Sequence, residues 1–82
     1  MPTVTMIFGL RVVIYPNDHR PVHVHVIGNG REVVFNLHCP KGPPEARENY
    51  GFSRKDLVKI AGELAINLVA LCSDWRKIHG YY

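Results

Sequence analysis

The sequence predicts an α+β fold in which an antiparallel sheet of three or four strands packs against one long C-terminal helix. Two patterns predict it: β-branched residues alternate with other residues in the first half of the chain, and apolar residues recur at helical spacing in the second half. A chain of 82 residues has room for one domain. Within 1–82 we expect the sheet over 1–38, a Pro/Gly-rich loop over 39–52 and the helix over 53–79.

The composition is that of an ordinary globular protein, with 46% hydrophobic and 21% charged residues. No apolar run approaches the ~20 residues that span a bilayer, and the N-terminal residues lack the pattern of a signal peptide. We therefore expect a cytoplasmic protein. The formal net charge of +3 favours anionic partners only weakly, because the basic residues are scattered. Nucleic acid stays open as a partner.

An Asn-Gly pair at Asn29 and Gly30 predicts a β-hairpin with a two-residue turn, since both turn positions need positive φ. With this pair as the turn, three apolar pairs form: Val26 with Val33, Val24 with Phe35, and Val22 with Leu37. A slip of one residue would set an apolar face against a polar one. Pattern and turn thus predict the same register.

The segment PKGPPEARENYG, residues 40–51, has three prolines and two glycines and is predicted to be a loop. Ser53 followed by Asp56 resembles a capping box, which predicts the start of a helix there. We expect this helix to run to about Ile78, before Gly80.

The apolar side of this helix is expected to face the sheet. With Val58, Ala65 and Val69, the apolar side extends around nearly half the helix circumference. One small sheet does not cover a surface this wide. Two explanations are open. A second copy or a partner protein could cover the remainder, or a bend near Gly62 could wrap the helix around the sheet.

The two cysteines, Cys39 and Cys72, show no paired spacing of the zinc-finger or redox type. Cys72 lies on the apolar side of the helix and is predicted to be a small core residue. The sequence does not place Cys39.

Three of the five histidines lie within residues 18–26, DHRPVHVHV. Residues two apart in a strand point to the same face. We therefore expect His23 and His25 to project together, away from the face that meets the helix. The hairpin register sets His38 diagonal to His23 on this outer face, and Asp18 lies in the preceding loop.

Three interpretations of this histidine group are open. His23 and His25, with His38 or Asp18, could bind one zinc-like divalent metal ion. Alternatively, the two imidazoles could act as acid and base in a metal-independent ribonuclease, with Arg11 or Arg20 stabilising phosphate charge. The third interpretation is structural: the histidines pack beside Tyr15 or form a dimer interface. His79 is explained by its position at the helix C-terminus.

The chain resembles a family of small bacterial proteins known as domain of unknown function 4160. The resemblance rests on Met1-Pro2-Thr3, Phe8-Gly9, Ile14-Tyr15, the segment DHRPVHVHV and the pattern of hairpin and C-terminal helix that follows. This chain departs from the family at Val22, where a second proline is frequent, and at Val24, where phenylalanine is common.

The resemblance implies a partner, because members are often encoded beside another small protein, which suggests toxin–antitoxin pairing. It assigns no catalytic residue. The leading hypothesis is a protein-binding module in a toxin–antitoxin-like pair, working as a homodimer or with a small partner encoded nearby. A small ribonuclease and a metal-binding domain are the alternatives.

Overall fold

The computed structural model describes residues 3–80. Met1 and Pro2, which are part of the family resemblance, lie outside the described residues, as do Tyr81 and Tyr82. Five antiparallel strands in chain order are followed by two helices. They are β1 Thr3–Ile7, β2 Leu10–Val13, β3 His23–Gly28, β4 Arg31–Asn36, β5 Glu45–Tyr50, α1 Arg54–Ile66 and α2 Leu68–His79. The α+β class is confirmed, but the predicted strand number and single helix are wrong.

The hairpin of β3 and β4 has the predicted register. Val24 pairs with Phe35 and Val26 with Val33, and the Leu37 N–H donates to the Val22 carbonyl at 3.0 Å. Asn29 and Gly30 form the turn with φ of 53° and 72°. This hairpin is the centre of the sheet and carries the histidine pair.

Strand β5 lies within the segment predicted to be a loop. It pairs with β4 from Asn36 opposite Glu45 to Glu32 opposite Tyr50. All six of its residues, EARENY, are exposed, so no apolar alternation marks it as a strand. The Tyr50 hydroxyl donates to the Glu48 carboxylate at 3.0 Å, and this hydrogen bond raises the pKa of Tyr50.

The predicted single helix is interrupted at Asn67. Its start is as expected, because the Ser53 hydroxyl accepts from the Asp56 N–H at 3.1 Å. At the interruption the Asn67 side-chain amide donates to the Glu63 carbonyl at 2.9 Å. Such side chains compete with the backbone for hydrogen bonds and interrupt helices. The break therefore falls at Asn67 and not near Gly62, where a bend was one of the two open explanations for the wide apolar side.

The core lies between the helices and one face of the sheet. It is formed by fully buried side chains from both layers, among them Val12, Val24, Val26, Val33, Phe35, Leu64 and Trp75. On the outer side of the helices, Val58, Ile66 and Val69 are 68, 78 and 80% exposed. Within residues 3–80, neither the sheet nor the other helix covers these three side chains.

A disulfide joins Cys39 to Cys72, with the two Cα atoms 5.9 Å apart. Cys72 is buried as predicted, but it is bonded rather than free, and it ties the segment after β4 to α2. Disulfides are rare in the reducing cytoplasm, so the cytoplasmic location stays a prediction that this bond does not favour. In residues 3–80 no helix is long and apolar enough to cross a bilayer.

Candidate metal centre

The Asp18 carboxylate is held by a tight turn in the loop between β2 and β3. The Asp18 N–H donates to the Tyr15 carbonyl at 3.0 Å, and the Tyr15 N–H donates back to Asp18 Oδ2 at 3.1 Å. Aspartate favours such turns because its side chain bonds to nearby backbone amides. The turn thus directs one carboxylate oxygen toward the start of β3.

Two histidines of β3 meet this oxygen. Asp18 Oδ2 lies 3.4 Å from Nε2 of His23 and 3.4 Å from Nε2 of His25. His23 is 5% exposed, and the side chains of His25 and Asp18 are each 15% exposed. One candidate ligand atom from each of the three residues lies within 4.8 Å of the others.

The hydrogen bond at the other nitrogen of His23 sets the tautomer of its neutral ring. Nδ1 lies 2.7 Å from the Pro21 carbonyl oxygen. A carbonyl can only accept, so Nδ1 carries the proton and donates it. Nε2 of the neutral ring is then an unprotonated lone pair that faces the carboxylate.

His25 repeats this arrangement with a carboxylate as acceptor. Its Nδ1 lies 3.0 Å from Glu32 Oε2, so this nitrogen donates and Nε2 of the neutral ring holds the lone pair. Nε2 is buried and has no hydrogen-bond partner within the described residues. Two lone pairs and an anionic oxygen thus converge, which is unfavourable unless a cation lies among them or a ring takes up a proton.

The neighbouring rings partly enclose the group. Tyr15 contacts His25 edge-on, with centroids 4.9 Å apart. The His23 ring lies 5.4 Å from that of Trp75 in α2, so the expectation that His23 points away from the helix is wrong. His23 is the first residue of β3, and the last turns of α2 pass this end of the sheet.

His38 lies outside this group. It has φ of 53°, and its Nε2 lies 3.1 Å from Glu45 Oε1. The strand alternation that predicted its direction ends at Asn36. His79 is also elsewhere, with its ring stacked on Trp75 at 4.0 Å.

The two candidate arginines are placed separately. Arg11 shares the outer face of the sheet with His25, because Arg11 pairs with Ile27 and Val13 pairs with His25. Its Nε donates to the Thr3 hydroxyl at 3.0 Å. Arg20 is exposed in the loop that follows Asp18.

Sequence reasoning missed Glu32. This residue pairs with Ile27 in the hairpin, which places it diagonal to His25 on the same face of the sheet. The register predicted from the Asn-Gly turn already contained this relationship. An acidic residue diagonal to a histidine was the signal that could have identified it.

The fold and this group define a small α+β domain with two histidines and one carboxylate at the start of a central strand. The chain belongs to the family described as domain of unknown function (DUF4160), which matches residues 9–76. This confirms the resemblance based on DHRPVHVHV. Searches among curated proteins and among solved structures found no match.

Proposed function

We propose that this protein binds one zinc-like divalent metal ion through Asp18, His23 and His25. The observation that carries the proposal is the convergence of two imidazole Nε2 atoms on one carboxylate oxygen, each at 3.4 Å. Nitrogen and oxygen ligands of this kind suit zinc and other borderline transition metals.

The spacing of the group fits such an ion. In a tetrahedral site with ligand bonds of about 2.0–2.1 Å, neighbouring ligand atoms lie about 3.4 Å apart. Asp18 Oδ2 lies 3.4 Å from each imidazole Nε2. All three candidate ligand atoms lie within 4.8 Å of one another, so small side-chain movements would bring them to bonding distance from one ion.

The outer hydrogen bonds support the same assignment. Histidines that bind metals usually donate their other ring N–H to a backbone carbonyl or a carboxylate, which orients the ring. The acceptors here are the Pro21 carbonyl and Glu32. Each imidazole thus has the partner expected of a metal-binding histidine.

A bound ion would connect two parts of the fold, because Asp18 belongs to the loop after β2 and both histidines belong to β3. Three protein ligands leave one position for water or for an atom of another molecule. The ion would therefore stabilise the loop on the sheet and offer a site for a further ligand.

Calorimetric titration of the untagged, chelator-treated protein with zinc tests this proposal. We expect one ion per chain, and we expect His25→Ala to lose binding because it removes a ligand. His38→Ala and His79→Ala are matched controls that should bind as the wild type does. Absence of stoichiometric metal, or equal loss in the His38 variant, would contradict the proposal.

A second candidate function is a protein-binding module, as in a toxin–antitoxin-like pair. It is supported by the exposed apolar side chains Val58, Ile66 and Val69 on the helices, since such groups mark interaction surfaces when they are contiguous. Size-exclusion chromatography with light scattering should show a homodimer or a complex with the neighbouring gene product. A monomer that does not bind this product would count against a protein-binding function.

A metal-independent ribonuclease has less support. Arg11, a candidate for stabilising phosphate, donates to Thr3 instead, and the Nδ1 atoms of both histidines are engaged. We therefore expect no RNA cleavage by the metal-free protein. Cleavage that disappears in both His23→Ala and His25→Ala would restore this alternative.

A further inference from the structure

A cavity of about 520 Å³ lies at the opposite end of the sheet from the histidines. Its wall includes residues from two turns, from β4 and from the start of α1, among them Phe8, Asn29, Arg31, Phe52, Asp56 and Lys59. This volume is within the range of small-molecule sites, which combine apolar walls with a few polar groups. The cavity shares no residue with the candidate metal centre.

Phe8 is an unusual residue for the turn position that it occupies. Ile7 pairs with Leu10, so Phe8 and Gly9 form a two-residue turn with φ of 50° and 74°. The turn between β3 and β4 has nearly the same angles and uses asparagine at the first position. A bulky residue at positive φ is an outlier, and Phe8 is 61% exposed. Strained residues of this kind cluster at ligand sites.

The cavity wall also carries unneutralised positive charge. Arg31 and Lys59 form no ion pair within residues 3–80, and Asp56 is the one carboxylate among the described lining residues. The Arg31 side chain lies against Gly51, where a Cβ atom would meet Arg31 Cγ at 3.0 Å. Glycine at that position thus leaves room for the arginine stem.

We propose that this cavity binds a small ligand that combines an aromatic ring with a phosphate group, which is the chemistry of a nucleoside monophosphate. Phe8 is exposed and offers a surface on which a base can stack, whereas the buried Phe52 contributes an apolar part of the wall. Arg31 and Lys59 offer charge-assisted hydrogen bonds to phosphate. Asp56 can accept from a sugar hydroxyl or an exocyclic amine.

Titration followed by amide NMR tests the proposal, with chelator present so that the metal centre plays no part. The probes are the four common ribonucleoside 5′-monophosphates, their nucleosides and inorganic phosphate. We expect saturable shifts at Gly9 and Gly30 with at least one monophosphate. Its nucleoside and phosphate alone should each bind about tenfold or more weakly, because each lacks one half of the recognition. If a 5′-phosphorylated trinucleotide binds more tightly than the monophosphate, the natural ligand is the 5′ end of a nucleic-acid strand. If it binds more weakly, the natural ligand is a free nucleotide.

Two substitutions distinguish specific binding in the cavity from non-specific attraction of an anion to the basic surface. Phe8→Asn copies the asparagine of the other turn, so the fold should be retained while the affinity falls about tenfold. Lys59→Gln should weaken binding similarly, whereas Lys55→Gln, an exposed lysine of α1 outside the cavity wall, should not. The proposal is overturned if no monophosphate gives saturable shifts, or if Phe8→Asn and Lys59→Gln bind as tightly as the wild type.

Discussion

Nδ1 of His25 donates to the Glu32 carboxylate at 3.0 Å, and this contact joins the candidate metal centre to the second strand of the central hairpin. Glu32 itself does not belong to the group of three candidate ligands. It orients the imidazole, as outer carboxylates do for metal-bound histidines.

Glu32→Ala should therefore weaken zinc binding about 10–100-fold without changing the stoichiometry. Competition with a chromophoric chelator measures the affinity. Glu48→Ala, which removes another carboxylate of the sheet, is the control and should have no effect. Unchanged affinity in the Glu32 variant would show that this carboxylate does not support the site.

Asp18→Asn tests the role of the carboxylate as a metal ligand separately from its role in the turn. The asparagine amide oxygen can still accept from the Tyr15 N–H, so the turn should be retained, but the anionic ligand is lost. Zinc at one hundred times its Kd should stabilise the wild type by about 2.7 kcal/mol. Thermal unfolding should show this stabilisation in the wild type and little or none in Asp18→Asn. An equal rise in Tm in both proteins would exclude Asp18 as a ligand.

Zinc affinity should decrease as the pH falls, because protons compete with the metal for the imidazole nitrogens. The loss should increase progressively as the pH is lowered from about 8 to about 5. Calorimetric titrations across this range measure it. An affinity that stays constant down to about pH 5 would place the metal on other ligands.

The disulfide should contribute substantially to stability. It closes a loop with a sequence separation of 33 residues, for which the loss of chain entropy in the unfolded state predicts about 3–4 kcal/mol. Denaturant unfolding of the double variant Cys39→Ser with Cys72→Ser should show this loss. A reducing agent should destabilise the wild type and leave the double variant unchanged. Equal stability of all these forms would show that the bond is dispensable.

The central hairpin could be predicted from the sequence because two independent signals agree there. The Asn29-Gly30 turn and the apolar alternation on both sides specify the same register, and this register brings His23 and His25 together. Asp18 was named from its proximity in sequence to the histidines, and the turn with Tyr15 brings it into the group.

The remaining features depend on contacts that a periodic pattern does not contain. Strand β5 is polar on both faces, so only pairing with β4 distinguishes it from a loop. The two helices have one continuous apolar period, and a single side-chain hydrogen bond from Asn67 accompanies the break. His38 is directed away from His23 by a positive φ just past the end of β4.

Strand β5 also determines how the sheet ends. It is an edge strand with one row of backbone groups not used by β4, and exposed strands of this kind invite pairing with another chain. Glu45, Arg47 and Glu48 place charges along it, and a register shift opposite Val34 and Phe35 makes its edge irregular. Both features oppose the addition of a further strand and hence aggregation through this edge. We therefore do not expect a strand of another protein to extend the sheet at β5.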